Sequence, residues 1–147
     1  MKAKLLIFSA ILLGITACKK DSFTTRPQLQ FKSVNGKTFG SGSAIIFSLE
    51  FTDKEGDLQD SIWVQKVTRV NGCNNFSDRA KIPNFTATSN LKGVFEIGYS
   101  NGFVPGSNYT VIPSCSKIDT CYFRFWTRDN AKNVSDTVVS PDIIIVK

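Results

Sequence analysis

Over residues 44–52 (AIIFSLEFT) large apolar side chains recur at every second position: Ile45, Phe47, Leu49 and Phe51. Successive side chains of an extended strand point to opposite faces, so this spacing makes one apolar face and one polar face. The same period returns in residues 121–127 (CYFRFWT). There Cys121, Phe123 and Phe125 share one face, and Tyr122, Arg124 and Trp126 share the other. A helix would need apolar residues three and four apart, and no window of the chain holds that pattern over three turns. Such strands must lay their apolar faces against another layer to be stable.

Further strands are predicted at residues 28–34, 61–70, 94–99, 109–112 and 137–146, each apolar enough to pack and bounded by Gly, Asn or Ser. Residues 35–42 read as a glycine-rich turn and loop. Residues 71–93 read as loop apart from a weak apolar segment at 82–85. About seven short strands with such punctuation point to an all-β, immunoglobulin- or fibronectin-like Greek-key sandwich, with a closed barrel as the rival. At least one of Trp63 and Trp126 is expected between the sheets, where sandwiches commonly bury a tryptophan.

The first residues speak of address. Lys2 and Lys4 precede thirteen uncharged residues at 5–17, a length that suits a signal-peptide core, whereas a spanning helix needs about 20 apolar residues. The run ends in Ile15-Thr16-Ala17-Cys18, which resembles the bacterial lipobox. That resemblance implies cleavage before Cys18 and lipid on its thiol. The expected organisation is a lipoprotein signal peptide at 1–17, a lipidated tether at 18–27 and a sandwich domain at 28–147. Lys19 follows the cysteine where inner-membrane retention would place Asp. The outer membrane is therefore expected, with the cell-surface face favoured over the periplasmic one.

Composition narrows the chemistry. Without Lys2 and Lys4, sixteen basic residues face twelve acidic ones, a net charge of +4 on the mature chain. The basic residues are scattered singly and not gathered in a stripe, so nucleic acid is not an expected partner. The chain has no histidine, which removes the commonest general base and the usual zinc ligand. With Cys18 lipidated, Cys73, Cys115 and Cys121 remain in an oxidising compartment, where one disulfide is expected and one thiol is left over. Cys115 and Cys121 flank a short polar segment and would close a small loop; Cys73 is the rival partner for either.

One cluster carries chemistry. Asp53, Glu55 and Asp57 alternate just past the 44–52 strand, around Gly56. Carboxylates at this spacing repel unless water or a cation offsets them, and the glycine position is not that of an EF-hand loop. If 44–52 and 121–128 run the same way in a sandwich, the loops after them share one end. Asp129, Asn130 and Asn133 would then meet the acidic loop. Asp53, Glu55, Asp57, Asp129 and Asn133 are hard oxygen ligands in a number that suits Ca²⁺. The alternative is plain turn capping by Asp53, Asp57 and Asp129, with Lys54 or Arg128 balancing the charge.

The segments FTDKEGDL (51–58) and FWTRDNAKNVSD (125–136), the latter followed by an aliphatic last strand, resemble those of small uncharacterised Bacteroidota lipoproteins with one immunoglobulin-like domain. The resemblance implies location and fold and says almost nothing of ligand. The expected function is a non-enzymatic, membrane-anchored envelope module that binds or positions another molecule. Two alternatives are a carbohydrate-binding surface lipoprotein using Trp63, Tyr122 or Trp126, and a calcium-stabilised adhesion-type module. The partners are the membrane, through the lipid, and a protein or glycan. A hydrolase working through the paired carboxylates would need a cleft, for which so small a sandwich has little room.

Overall fold

A computed structural model describes residues 23–58, 61–83 and 85–147. The expected leader at 1–17, the expected lipidation at Cys18 and the first part of the expected tether lie outside the described residues. Those that are described form strands and loops with no helix. The strands are β1 (Gln28–Val34), β2 (Thr38–Phe39), β3 (Ser43–Asp53), β4 (Ser61–Thr68), β5 (Phe76–Lys81), β6 (Leu91–Asn101), β7 (Thr110–Val111), β8 (Asp119–Arg128), β9 (Val138–Val139) and β10 (Ile143–Ile145).

Two sheets result. The first has the order β1-β3-β6-β7 and the second β2-β10-β8-β4-β5, with β9 added along β8. The long pairs β1–β3, β3–β6, β4–β5 and β4–β8 are antiparallel; only the short β6–β7 and β2–β10 pairs are parallel. The alternation in the sequence becomes the core. Ile45, Phe47, Leu49 and Phe51 of β3 face Ile62 and Val64 of β4 and Cys121, Phe123 and Phe125 of β8 in one buried cluster. The ring of Phe47 lies 4.6 Å from that of Phe123 and 5.1 Å from that of Phe125, which locks the layers together. Each such fully buried ring contributes about 1.5–3 kcal/mol relative to exposure.

The sandwich has two distinct ends. Asp53 pairs with Leu91 and Ser61 with Arg128, so the chain entry before β1 and the loops after β3, β5 and β8 gather at one pole. Ser43 pairs with Asn101 and Thr68 with Cys121, which puts the 102–118 loop and the last residues at the other.

Three expectations are corrected. Residues 76–81 form a strand, not loop; its alternating exposed and half-buried positions mark a sheet edge that needs few apolar residues. The 137–146 strand is two short strands, β9 and β10. Neither tryptophan lies between the sheets. Trp63 and Trp126 oppose each other on neighbouring strands and stack on the outer face of the second sheet, rings 6.5 Å apart and nearly parallel.

The disulfide joins Cys73 to Cys115 and leaves Cys121 free and buried, so the expected Cys115–Cys121 pair does not form. The reason is the period-two face. Cys121 points into the core beside Phe123, away from the surface loop that carries Cys115.

Candidate acidic pole

The pole at which the chain enters is built from the end of β3, the loop after it and the loop after β8. Asp53 is the last residue of β3 and falls on that strand's inward face with Phe51, so its carboxylate is delivered beneath the loops, fully buried. The chain then turns through Gly56, whose φ of +71° suits glycine. A Cβ there would stand 2.0 Å from the carbonyl oxygen of Thr88, so the turn also relies on close contact with the backbone of Thr88. The turn brings Asp57 back over Asp53, and the Asp57 N–H donates to Asp53 Oδ2 at 3.0 Å.

Asp129 arrives from β8, 1% exposed. Its Oδ1 accepts the backbone N–H of Asn133 at 2.7 Å and its Oδ2 the side-chain amide of Asn133 at 2.8 Å. The Asn130 N–H donates to the Asp57 carbonyl at 3.1 Å and ties the two loops. Asp53, Asp57 and Asp129 thereby bring one carboxylate oxygen each within 4.8 Å of the others.

Turn capping accounts for part of this arrangement, since Asp53 and Asp129 each hold the backbone four residues on. It does not account for Asp53 Oδ1 or Asp57 Oδ1, which are buried with no hydrogen-bond partner. Burial, more than anything else, raises the Asp53 pKa from its ordinary value. The backbone N–H groups of Asp57 and Gly56 oppose the rise, and the like charges of Asp57 and Asp129 add to it.

Of the other two expected ligands, Asn133 sits against the trio and Glu55 does not. Glu55 is exposed and lies outside the trio, because the turn at Gly56 folds Asp57 inward and leaves its neighbour in solvent. Asn133 donates its amide to Asp129 and so positions that carboxylate.

The pole also grips the chain that leads into the domain. The Lys54 N–H donates to the Thr24 carbonyl at 3.2 Å, and the Arg26 guanidinium binds the Val134 carbonyl and pairs with Asp136 at 2.8 Å.

The opposite pole was not foreseen. Lys66 continues the inward face of Ile62 and Val64, and its Nζ meets Asp119 Oδ2 at 2.5 Å with both side chains almost fully buried. Thr68 Oγ1 donates to Asp119 Oδ1 at 2.5 Å. Burial, then the charge of Asp119, push the neighbouring Cys121 thiol up to about 12. Beside Asp119 lies a cavity of about 350 Å³, also lined by Val111, Ile112, Cys115 and Ile145. Phe103 (78% exposed) and Ile118 (58%) stand in solvent at this end. The one signal in the sequence was the spacing of Lys66 from Ile62 and Val64.

On the outer face of the second sheet, guanidiniums cover the aromatic rings. Arg79 and Arg128 each lie 5.0 Å from the centre of Trp63, and Arg69 lies 4.7 Å from that of Tyr122.

No protein-family model matches the sequence, and neither does any curated protein. Among solved structures, the sporulation control protein Spo0M from Bacillus subtilis is similar at 9% identity with a TM-score of 0.48. The match covers 84% of this chain and 51% of that one, so the chain spans about half the length of that protein.

Proposed function

We propose that the chain is a lipid-anchored module of the bacterial cell envelope, whose immunoglobulin-like sandwich works by binding and not by catalysis. The strand order supports the finer fold. β1, β3 and β6 in one sheet and β10, β8, β4 and β5 in the other follow the A-B-E and G-F-C-C′ arrangement of immunoglobulin-type domains. Two observations weigh against catalysis. There is no histidine, and Asp53 and Asp129 are so deeply covered that no substrate-sized group reaches them.

The observation that carries the reading is the polarity of the sandwich. The chain enters the domain at the acidic pole and is held there by Thr24 and Arg26, so an anchor at Cys18 would turn that pole toward the membrane. The opposite pole, braced by Cys73–Cys115 and carrying exposed Phe103 and Ile118, is then displayed outward. Exposed apolar side chains gathered at one end are a common mark of an interaction surface.

The test has two arms in living cells. Radioactive palmitate labels the wild-type chain and not Cys18→Ser, which leaves the membrane fraction. A photo-crosslinker at Phe103 captures a partner that one at Glu55 does not. Membrane retention of Cys18→Ser without label, or capture from Glu55 alone, would sink the proposal.

A second reading, glycan binding, rests on Trp126, which lines a shallow groove of about 290 Å³ with Gln65, Arg124, Val134 and Thr137. Quenching of tryptophan fluorescence by glycans, lost in Trp126→Ala, is its expected signature; no quenching removes it.

A further inference from the structure

We propose that Asp53, Asp57 and Asp129 form a site for one calcium ion, which closes the acidic pole and ties its two loops to the chain entering the domain. The site is independent of the membrane anchor and stands or falls separately from it.

Clustering alone would not argue for a cation; the state of the individual oxygens does. Asp53 is entirely buried, one of its oxygens is satisfied by the Asp57 N–H, and the other has no partner. Asp57 Oδ1 is likewise buried and without a partner. An unpaired buried acceptor is costly, and more so when it is charged. The carboxylates gathered beside Asp53, those of Asp57 and Asp129, are of its own sign. A carboxylate in this setting is completed by a proton or by a cation.

Geometry chooses between them. Oxygens on one Ca²⁺ lie at about 2.3–2.6 Å from it, so any two are at most roughly 5 Å apart. The three carboxylates fall within that span. Each is also set by a hydrogen bond that fixes a different atom: Asp53 through Oδ2, Asp57 through its backbone, and Asp129 through both N–H groups of Asn133. One shared proton would leave two of the three negative charges in the same space. A divalent cation offsets most of the three charges, and water can complete its shell from the half-buried Asp57 side.

The ion would act as a clasp. Asp57 belongs to the loop that holds Thr24 through Lys54, and Asp129 to the loop that holds Arg26 through Val134. Fixing the two loops together fixes the exit of the tether.

The experiment uses the chain from position 18 onward with Cys18→Ser, which keeps every described residue. After chelation, thermal melting is followed in calcium chloride, in magnesium chloride at equal concentration, and in chelator. Calcium at about 10 mM is expected to raise the melting temperature by roughly 5–10 °C, with titration calorimetry giving one ion per chain. Asp53→Asn and Asp57→Asn each remove the response, and in chelator Asp53→Asn melts no lower than wild type because a buried charge has gone. A wild-type chain that ignores calcium, a response that survives both substitutions, or an equal response to magnesium would overturn the site.

Discussion

The two poles each bury charge, and they do it in opposite ways. At the pole far from the chain entry Lys66 and Asp119 neutralise one another inside the chain, and Thr68 satisfies the remaining carboxylate oxygen. At the entry pole three carboxylates of one sign converge, and two of their oxygens are left without a partner. The first arrangement is complete as folded. The second is complete only with something added, and that is the difference between a structural ion pair and a binding site. Burial of charge in a sandwich is therefore no guide to function until the partners are counted atom by atom.

The sharpest way to break this comparison is to make the complete pole incomplete. Lys66→Met strands Asp119 in the core and is expected to cost about 3–5 kcal/mol in urea denaturation, because a lone buried charge is far worse than none. Lys66→Met with Asp119→Leu should recover most of that loss. A single substitution as mild as the double would mean that water reaches the pair.

Next in size is the brace beside it. Replacing Cys73 and Cys115 by Ala removes a crosslink between residues 42 apart in sequence and should lower stability by about 2–4 kcal/mol. The calcium response at the far pole should be unchanged. Loss of that response would show that the two ends are coupled.

Gly56→Ala tests the entry pole from its backbone. A positive φ and a Cβ driven into the Thr88 carbonyl should cost about 1–3 kcal/mol. It should also weaken calcium binding, since Asp57 follows directly. Unaltered binding would mean that the turn does not position that carboxylate.

The smallest expected effect concerns Cys121, whose thiol is pushed up to about 12. At pH 8 it should ignore thiol reagents in the native protein and react as one equivalent in denaturant. Reaction in the native state would mean that the core beside Lys66 opens readily.

How much of this was legible depended on whether period two governed the residue. The 28–34 strand coincides with β1, and the 44–52 and 121–127 strands lie within β3 and β8, because alternation sets which side chains face inward. The meeting of Asp53, Asp57 and Asp129 followed from two strands running the same way, a matter of topology. Asn133 does reach the site, as a donor to Asp129; Glu55 does not, because side-chain direction in a loop depends on turn geometry that spacing does not set. Cys121 shares a face with Phe123 and Phe125, so its burial was readable. The pairing of Cys73 with Cys115 was not, since both lie in loops. Lys66 was hidden by its charge, although it keeps the step of Ile62 and Val64. Strand β5 was hidden by its composition, for an edge strand with Phe76 as its one large apolar residue resembles a loop.

The most direct measurement is a crystal structure of the chain grown in calcium, with the ion located by its anomalous scattering. The expected result is one ion bound by Asp53 Oδ1, Asp57 Oδ1 and an oxygen of Asp129, each at about 2.3–2.6 Å, with the loops otherwise as described. A pole holding no ion, with a lysine, an arginine or a hydrogen-bonded water chain satisfying those oxygens, would contradict it.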